Sequence, residues 1–470
     1  VDLSSRGTLR WLAVGGGADP TSTQVQLEQD LSLFAELASA DETPGAVLFA
    51  GGPGVRAVQV LSPAAPLDSS DEATLAASPH APLRAELGAL LDPRPERAAR
   101  FRIPALKVDA PADAPSVLAL LEAQLAHPGP RLDVFVAAHG DVGESAAENY
   151  VALWGDSAFD ARELSTALSS RDARRSARVI ITSCFGGGFA ELAFADANVS
   201  AGPAQHGTCG LFATSAEHES NGCDANPDRQ AQQGYALHLL HALRGQGGDG
   251  QPTPGLDLDH DGHVGLLEAH TRARIASESI DLPSTTSERF LRSLTLEAAS
   301  ESPTAAPSFA TPEDDAVIAA LGSRLSLRDE ASVDSARVAL EAQLDALAAR
   351  IEERMAMEDE ALLSMRLAIA AHWPELLDPF RADFETTLRA NAAAVADLLA
   401  SEGARALAEL REESDQLLVE EDALRVRWVL LMRLGRAFET RRLARALSLR
   451  APSDPDRQHY EALLACERAL

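Results

Sequence analysis

The first 300 residues alternate short apolar runs with amphipathic stretches. Five apolar runs that end in glycine or polar residues predict strands, at 9–17, 46–52, 132–140, 177–184 and 210–216. Four stretches with apolar positions three and four apart predict helices, at 21–38, 115–126, 160–170 and 229–243. Strands that alternate with helices are typical of an α/β fold with a mostly parallel sheet flanked by helices.

Beyond residue 300 the pattern becomes helical only. The Pro-, Ser- and Thr-rich residues 300–314 predict a linker between a first domain, 1–299, and an all-α region, 315–470. A coiled coil or helical bundle is expected in that region. Its near-heptad apolar positions are Leu340, Leu344, Leu347, Ile351 and Met355.

Charge and hydropathy exclude several classes of partner. The formal net charge of −30 disfavours nucleic acid and anionic membrane surfaces, which would repel the chain. No run of 18 apolar residues is present, so we expect no membrane span. The 46% hydrophobic and 24% charged composition is that of a globular protein.

The four cysteines are too few and too irregularly spaced for a disulfide framework in a chain of this length. A Cys209–Cys223 bridge and fully reduced thiols are both open, and Cys209, Cys223 and Cys466 are expected to be structural. The compartment is left open, with the cytoplasm favoured. The chain begins at Val1, and a tag, signal or pro-segment could have preceded it.

Two of the predicted strands end in residues suited to nucleophilic catalysis. One ends "FVAAHGD", with His139, and the other ends "IITSCFGGG", with Cys184. Residues past the carboxyl ends of neighbouring parallel strands face one crevice, so we expect the two side chains to meet. A thiol attacks a carbonyl as thiolate and needs a base, which His139 would supply. The amides of Gly140 and Cys184 would form an oxyanion hole.

This arrangement resembles the caspase–legumain clan of cysteine peptidases, and is closest to bacterial caspase-like and legumain-like members. The Gln-Ala-Cys signature of caspases is absent, and Gly186 stands where these relatives usually carry serine. The segments that carry the resemblance are 15–34, 148–168, 184–194 and 212–223. The resemblance implies a caspase-like fold and an endopeptidase in which His139 is general base and acid and Cys184 is nucleophile.

The legumain likeness also implies where specificity is determined. Ser215, Glu219 and Ser220 would line the primary specificity pocket, and Asp141 would add negative charge to the cleft. Carboxylates pair well with a guanidinium, so cleavage after Arg or Lys is expected. A solvated loop at 217–219, with cleavage after Asn or Asp instead, is the alternative.

The stretch "DLDHDGHVGLLE" follows the spacing of a calcium loop. Oxygen ligands at positions 1, 3, 5, 7 and 12 would come from Asp257, Asp259, Asp261, the His263 carbonyl and Glu268. The preceding residues 245–255 are not helical in pattern, as an EF-hand would require. A helix start at which Asp261 favours the positive helix end is the alternative to Ca²⁺ binding.

The sequence therefore predicts a cysteine endopeptidase that acts on polypeptides without a catalytic cofactor. Ca²⁺ dependence, or activation by a protein partner through the helical C-terminal region, is expected as its control. Two rival functions stay open: a catalytically silent scaffold with the same fold, and a hydrolase or transferase of small acyl substrates that uses the same dyad.

Overall fold

A computed structural model describes residues 8–39, 42–63, 80–92, 97–170, 173–296 and 309–469. Their contacts divide the chain into two compact units. The first unit comprises the described residues within 1–61, 99–337 and 429–470, and the second those within 62–98 and 338–428. Because both units draw on both predicted regions, the units do not coincide with the predicted bounds of 1–299 and 315–470.

The first unit is built on a mixed sheet of eight strands. Six of them are neighbours in the order 284–285, 209–212, 177–181, 132–141, 11–16 and 45–49, that is, β10, β9, β8, β5, β1 and β2. Neighbours from β2 to β9 run parallel, and β10 is antiparallel to β9. A short antiparallel pair, β6 and β7, extends from the end of β5, and β3 pairs with β4 in a separate sheet. The strands are β1 (Trp11–Gly16), β2 (Gly45–Phe49), β3 (Val58–Pro63), β4 (Arg97–Arg102), β5 (Leu132–Asp141), β6 (Tyr150–Leu153), β7 (Ser157–Asp160), β8 (Ala177–Ile181), β9 (Cys209–Phe212) and β10 (Ser284–Thr285).

Helices cover both faces of this sheet. One apolar cluster packs the helices at 114–125 and 161–168 on one face, and a second packs the helices at 25–38, 235–242 and 266–276 on the other. The helices up to residue 293 are α1 (Val25–Ala38), α2 (Ala81–Leu91), α3 (Ala114–Leu125), α4 (Ala161–Leu168), α5 (Tyr235–Ala242), α6 (Leu266–Ala276) and α7 (Thr286–Ser293). The predicted α/β class with a mostly parallel sheet flanked by helices is confirmed.

The central strands are apolar without alternation because both of their faces are buried. All residues of β1 and β8 are buried, including the Arg178 side chain, which forms an ion pair with Asp133. Helix starts also follow local sequence. Asp160 and Glu163 form a reciprocal capping box at α4, which supplies partners for amides that the first helical turn leaves free.

The C-terminal region is helical, as predicted. Its helices are α8 (Pro312–Leu325), α9 (Glu330–His372), α10 (Phe384–Ala390), α11 (Ala392–Leu399), α12 (Glu402–Ser448) and α13 (Pro455–Arg468). Helix α8 starts within the predicted linker 300–314, most of which lies outside the described residues. Along α9, Leu340, Leu347 and Ile351 of the predicted seam are buried, Leu344 is half-buried, and Met355 is exposed.

The last helix is joined covalently to the sheet. Cys466 of α13 forms a disulfide with Cys209 of β9, while Cys184 and Cys223 remain free thiols. Both alternatives left open by the sequence, a Cys209–Cys223 bridge and fully reduced thiols, are therefore wrong, because α13 brings Cys466 rather than Cys223 to β9. Tyr460 and Leu463 of α13 are buried in the same apolar cluster as this disulfide.

No helix in the described ranges is both long enough and apolar enough to cross a membrane.

Candidate active site

His139 and Cys184 lie at the carboxyl ends of adjacent parallel strands. In the register of β5 and β8, Val136 pairs with Ile181, which is the last residue of β8, and Cys184 lies three residues beyond it. The two strand ends approach closely, since a Cβ atom added to Gly140 would lie 2.2 Å from the Cys184 carbonyl oxygen. The structure thus brings the two predicted catalytic residues to one edge of the sheet.

The imidazole of His139 is held by the chain between β1 and α1. Its Nε2 atom lies 2.9 Å from the Ser22 carbonyl oxygen and 2.8 Å from Gln24 Oε1. A backbone carbonyl only accepts hydrogen bonds, so Nε2 carries the proton and Nδ1 is the basic nitrogen. Gln24 is itself oriented, because its Nε2 donates to the Thr21 carbonyl at 3.3 Å.

The backbone around Ser22 is set by local capping. Asp19 accepts hydrogen bonds from the amides of Thr21 and Ser22, and Thr23 donates to the Asp19 carbonyl. This tight turn fixes the direction of the Ser22 carbonyl toward His139. Ser22 and Gln24 were not predicted as site residues; the capping sequence predicts their turn but not the distant histidine that they contact.

Cys184 is half-buried just past β8, and its sulfur faces the segment after β9. The Ser220 amide donates to Cys184 Sγ at 3.3 Å, and the thiol donates to the Ser220 carbonyl at 3.5 Å. Burial raises the pKa of the Cys184 thiol; the Ser220 amide opposes this shift, and the charges of Glu219 and Asp281 add to it.

Burial also lowers the pKa of His139, although its contact with the Ser22 carbonyl and the charge of Asp19 act in the opposite direction. Both shifts favour the neutral forms of the two groups. The two shifts thus favour an imidazole and a thiol over an imidazolium and a thiolate.

The glycine-rich turn after Cys184 packs against the protein itself. Phe185 adopts a left-handed conformation, and its amide donates to the His218 carbonyl at 2.8 Å. A Cβ atom on Gly187 would lie 2.5 Å from the Ser215 backbone. Gly187 thus allows the turn to contact the segment after β9.

Asn149 connects this turn to its surroundings and was missed in the sequence. Its side chain is 3% exposed, and Nδ2 donates to the carbonyls of Phe185 at 3.1 Å and Ala216 at 2.8 Å. Its Oδ1 accepts from the Gly143 amide at 3.1 Å. One buried amide therefore joins the loop after His139, the turn after Cys184 and the segment after β9. No spacing in the sequence indicates these long-range partners.

The four predicted specificity residues fall into two groups. Asp141 and Glu219 are exposed, and Glu219 is close enough to Cys184 for its charge to raise the pKa of the thiol. Ser215 is buried and its hydroxyl lies 2.8 Å from His218 Nδ1, while the Ser220 hydroxyl donates to the Thr182 carbonyl at 2.8 Å. Both serine hydroxyls thus have partners within the protein. The Asp141 carboxylate also accepts from the Val142 amide at 2.7 Å and the Tyr150 hydroxyl at 3.4 Å, although it is exposed.

The acidic loop brings three of its predicted ligands together. Carboxylate oxygens of Asp257, Asp259 and Asp261 lie within 4.8 Å of one another, and no other such metal-binding group occurs in the described part of the chain. The Oδ1 atom of Asp257 is buried and has no hydrogen-bond partner among the described residues, which suits a cation.

Glu268 does not join this cluster. Its Oε1 accepts from the amides of Leu258 and Asp259, and its Oε2 from the Gly265 amide at 2.7 Å, where it caps α6. The His263 amide donates to Asp261 Oδ1 at 2.8 Å. The loop therefore differs from the predicted ligand set at its twelfth position, where the carboxylate stabilises the helix start.

No protein-family model and no curated protein matches this chain. The resemblance to the caspase–legumain clan thus rests on the quoted segments and stays a prediction. The fold and the meeting of two strand ends are observations independent of it.

Proposed function

We propose that the protein is a cysteine endopeptidase with His139 as general base and acid and Cys184 as nucleophile. The observation that carries the proposal is the placement of both residues at adjacent strand ends, with the imidazole held through Nε2 so that Nδ1 is the basic nitrogen. A histidine and a cysteine held in this way form the minimal pair for thiol-based acyl transfer.

In the proposed reaction, the Cys184 sulfur attacks the scissile carbonyl carbon as its proton passes to His139 Nδ1. The amides of Gly140 and Cys184 would donate to the oxyanion of the tetrahedral intermediate, each worth roughly 3–4 kcal/mol of barrier. The C–N bond then breaks, His139 returns the proton to the leaving amine, and a thioester remains on Cys184. Water, deprotonated by His139, hydrolyses the thioester and restores the thiol.

We propose a basic residue, Arg or Lys, before the scissile bond. Glu219 follows the buried strand end of Ser215, is exposed, and lies near the nucleophile, while Asp141 is exposed at the end of β5. A substrate guanidinium would complete its hydrogen bonds with these carboxylates. The net charge of −30 also favours encounter with basic substrates.

A calcium ion in the acidic loop is a further part of the proposal. The convergence of Asp257, Asp259 and Asp261 and the buried, unpartnered Asp257 oxygen support it. Hard oxygen ligands of this kind are those that Ca²⁺ prefers. The ion would have a structural role, since the described loop belongs to the start of α6 rather than to the strand ends that carry the dyad.

Turnover of fluorogenic peptides ending in Arg, Lys, Asn or Asp tests the proposal, measured with Ca²⁺ and with a chelator. We expect cleavage after Arg or Lys that falls at least about a thousandfold in Cys184→Ala and in His139→Ala. Cys223→Ala is the matched control, because it removes the other free thiol, and should keep the activity.

Hydrolysis of small esters without peptide cleavage would contradict the endopeptidase proposal and favour a small-acyl enzyme. Peptide cleavage that survives in Cys184→Ala would contradict the dyad. A preference for Asn or Asp would leave the dyad standing and overturn the basic specificity alone.

A further inference from the structure

Arg433, on α12, is 1% exposed and directs its whole guanidinium at backbone carbonyls. Its five hydrogen bonds, 2.5 to 3.1 Å long, go to the carbonyls of Arg274, Ser277, Ser279 and Asp281. Five N–H donors in one plane match this arrangement, and a lysine has only three. Helix α12 thereby fixes the loop 277–281 that follows α6.

The loop 277–281 in turn holds the chain that runs behind the nucleophile. The fully buried carboxylate of Asp281 accepts from the Asn221 amide at 2.7 Å, the Tyr235 amide at 2.6 Å and the Ser279 hydroxyl at 2.7 Å. A carboxyl group that accepts three hydrogen bonds of this length is held firmly in one position. Arg433 therefore holds the loop through its backbone carbonyls, and Asp281, which belongs to the loop, holds the segment around Asn221.

Asn221 directly follows Ser220, which contacts Cys184. The Ser220 amide donates to the Cys184 sulfur at 3.3 Å, and its hydroxyl donates to the Thr182 carbonyl at the end of β8. Three hydrogen-bonded steps thus connect α12 to the thiol: Arg433 to the 277–281 loop, Asp281 to the Asn221 amide, and the Ser220 amide to the Cys184 sulfur.

We propose that Arg433 is a positioning residue for the nucleophile, acting through the 277–281 loop and Asp281 on the Ser220 segment that borders Cys184. This inference rests on the proposed peptidase function and assigns a role at the catalytic edge to a residue of the C-terminal helical region. An arginine that only stabilised the fold would protect amides throughout the unit from hydrogen exchange. A positioning arginine would protect the amides of one segment in particular.

Amide hydrogen exchange and peptide turnover of the full chain test the proposal in wild type, Arg433→Lys and the matched control Arg441→Lys. Arg441 lies on the same helix and pairs with Asp315 at 3.3 Å. In Arg433→Lys we expect the Asn221 amide to exchange about tenfold faster, the amount that corresponds to the loss of roughly one net hydrogen bond. The amides of β1 and β2 should keep their rates.

The same variant should lose roughly ten- to a hundredfold in kcat while KM stays within about twofold, because a displaced thiol impairs attack more than binding. Arg441→Lys should leave both constants unchanged. Ser279→Ala, which removes one donor to Asp281, is a milder second variant and should shift the Asn221 exchange in the same direction.

Unchanged exchange at Asn221 in folded Arg433→Lys and Ser279→Ala would overturn the proposal. An equal acceleration of the β1 and β2 amides would also overturn it, since Arg433 would then contribute only global stability. If the wild type cleaved no peptide, the proposed peptidase function would fail, and the exchange measurement would still decide whether Arg433 positions the Cys184 segment.

Discussion

At the scale of single residues, the backbone at Gly140 lies so close to the backbone at Cys184 that no side chain fits between them. Gly140 follows His139, and a Cβ atom there would lie 2.2 Å from the Cys184 carbonyl oxygen and 3.0 Å from the Ser183 Cβ. With a larger residue at position 140, the strand ends could meet only if one of the two backbones moved. Residue 140 is therefore restricted to glycine by Cys184 rather than by its own backbone conformation.

Gly140→Ala should abolish turnover and destabilise the fold by roughly 1–3 kcal/mol, as overpacking of a tight contact does. Gly88→Ala is the matched control, because a Cβ atom there would meet nothing within 4 Å and Gly88 lies in helix α2. That change should stabilise the protein by up to about 1 kcal/mol. Urea unfolding followed by circular dichroism measures both; an active, fully stable Gly140→Ala protein would contradict the described approach.

The protonation state of the dyad gives a second test at this scale. Burial raises the pKa of Cys184 and lowers that of His139, so both groups are neutral near pH 7. Alkylation of Cys184 by iodoacetamide should therefore rise with pH, with a midpoint above about 8.5, the ordinary cysteine value. Peptide mapping by mass spectrometry separates Cys184 from Cys223. A rate that is already constant below pH 7 would indicate a thiolate–imidazolium pair and contradict this account.

The acid limb of peptide turnover follows from the same shifts. A lowered His139 pKa keeps the imidazole neutral, and hence basic, to lower pH than an unperturbed histidine. We expect the half-maximal point of the acid limb of kcat/KM, measured with an arginyl peptide, to lie below about pH 6.5, the ordinary histidine value. A half-maximal point above pH 7 would show that the imidazole carries a raised pKa instead.

At the scale of elements, the C-terminal helix α13 is held to the sheet by covalent and polar contacts. The Cys209–Cys466 disulfide joins it to β9, and Glu467 accepts from the Thr286 hydroxyl at 2.6 Å and the Ser287 amide at 2.8 Å. The bridge closes a long stretch of chain, which restricts the unfolded state. The element most distant in sequence from β9 is thereby part of the unit that contains the eight-stranded sheet.

Removal of this disulfide by Cys466→Ser should lower the free energy of unfolding by about 2–4 kcal/mol. Cys223→Ser, which changes a free thiol, is the control and should cost less. Urea denaturation under oxidising and reducing conditions measures the difference, and a reductant should affect the wild type but not Cys466→Ser. Equal stability of the wild type with and without reductant would contradict the described bridge.

The acidic loop is the second element with a direct test. If Ca²⁺ occupies it, an ion concentration of a hundred times Kd should stabilise the fold by about 2.7 kcal/mol, and Asp257→Asn should lose most of this gain. Asp249→Asn, in a nearby turn, is the control. Thermal unfolding with Ca²⁺ and with a chelator measures the effect. An identical melting temperature in both conditions would mean that the internal hydrogen bonds of the loop suffice.

At the scale of the whole molecule, the sheet and the helical region were predictable because their signals are local and periodic. Buried parallel strands are continuous apolar runs, and amphipathic helices repeat every three or four residues. The placement of His139 and Cys184 at strand ends was predictable for the same reason, since each residue follows such a run. What the spacing of residues could not indicate is long-range polar contact: Ser22 to His139, Arg433 to Asp281, and the pairing of Cys466 with Cys209.

The acidic loop illustrates the limit of motif spacing. Its twelve residues follow a calcium pattern, but Glu268 accepts from the amides of Leu258 and Gly265, and Gly265 is the residue that caps the adjacent helix. Competition between a ligand and a helix start cannot be decided from spacing. The activating partner likewise stays a prediction, since the sequences of α9 and α12 indicate helices but not what binds to them.

The most direct test of the central claim is covalent capture of the nucleophile. The full chain would be incubated with a peptidyl acyloxymethyl ketone that ends in arginine, and its intact mass and peptide map would then be measured. The account predicts one adduct per chain, on Cys184, that is absent in Cys184→Ala, unchanged in Cys223→Ala and strongly slowed in His139→Ala. Labelling of Cys223 instead, or equal labelling with and without His139, would contradict a His139–Cys184 dyad.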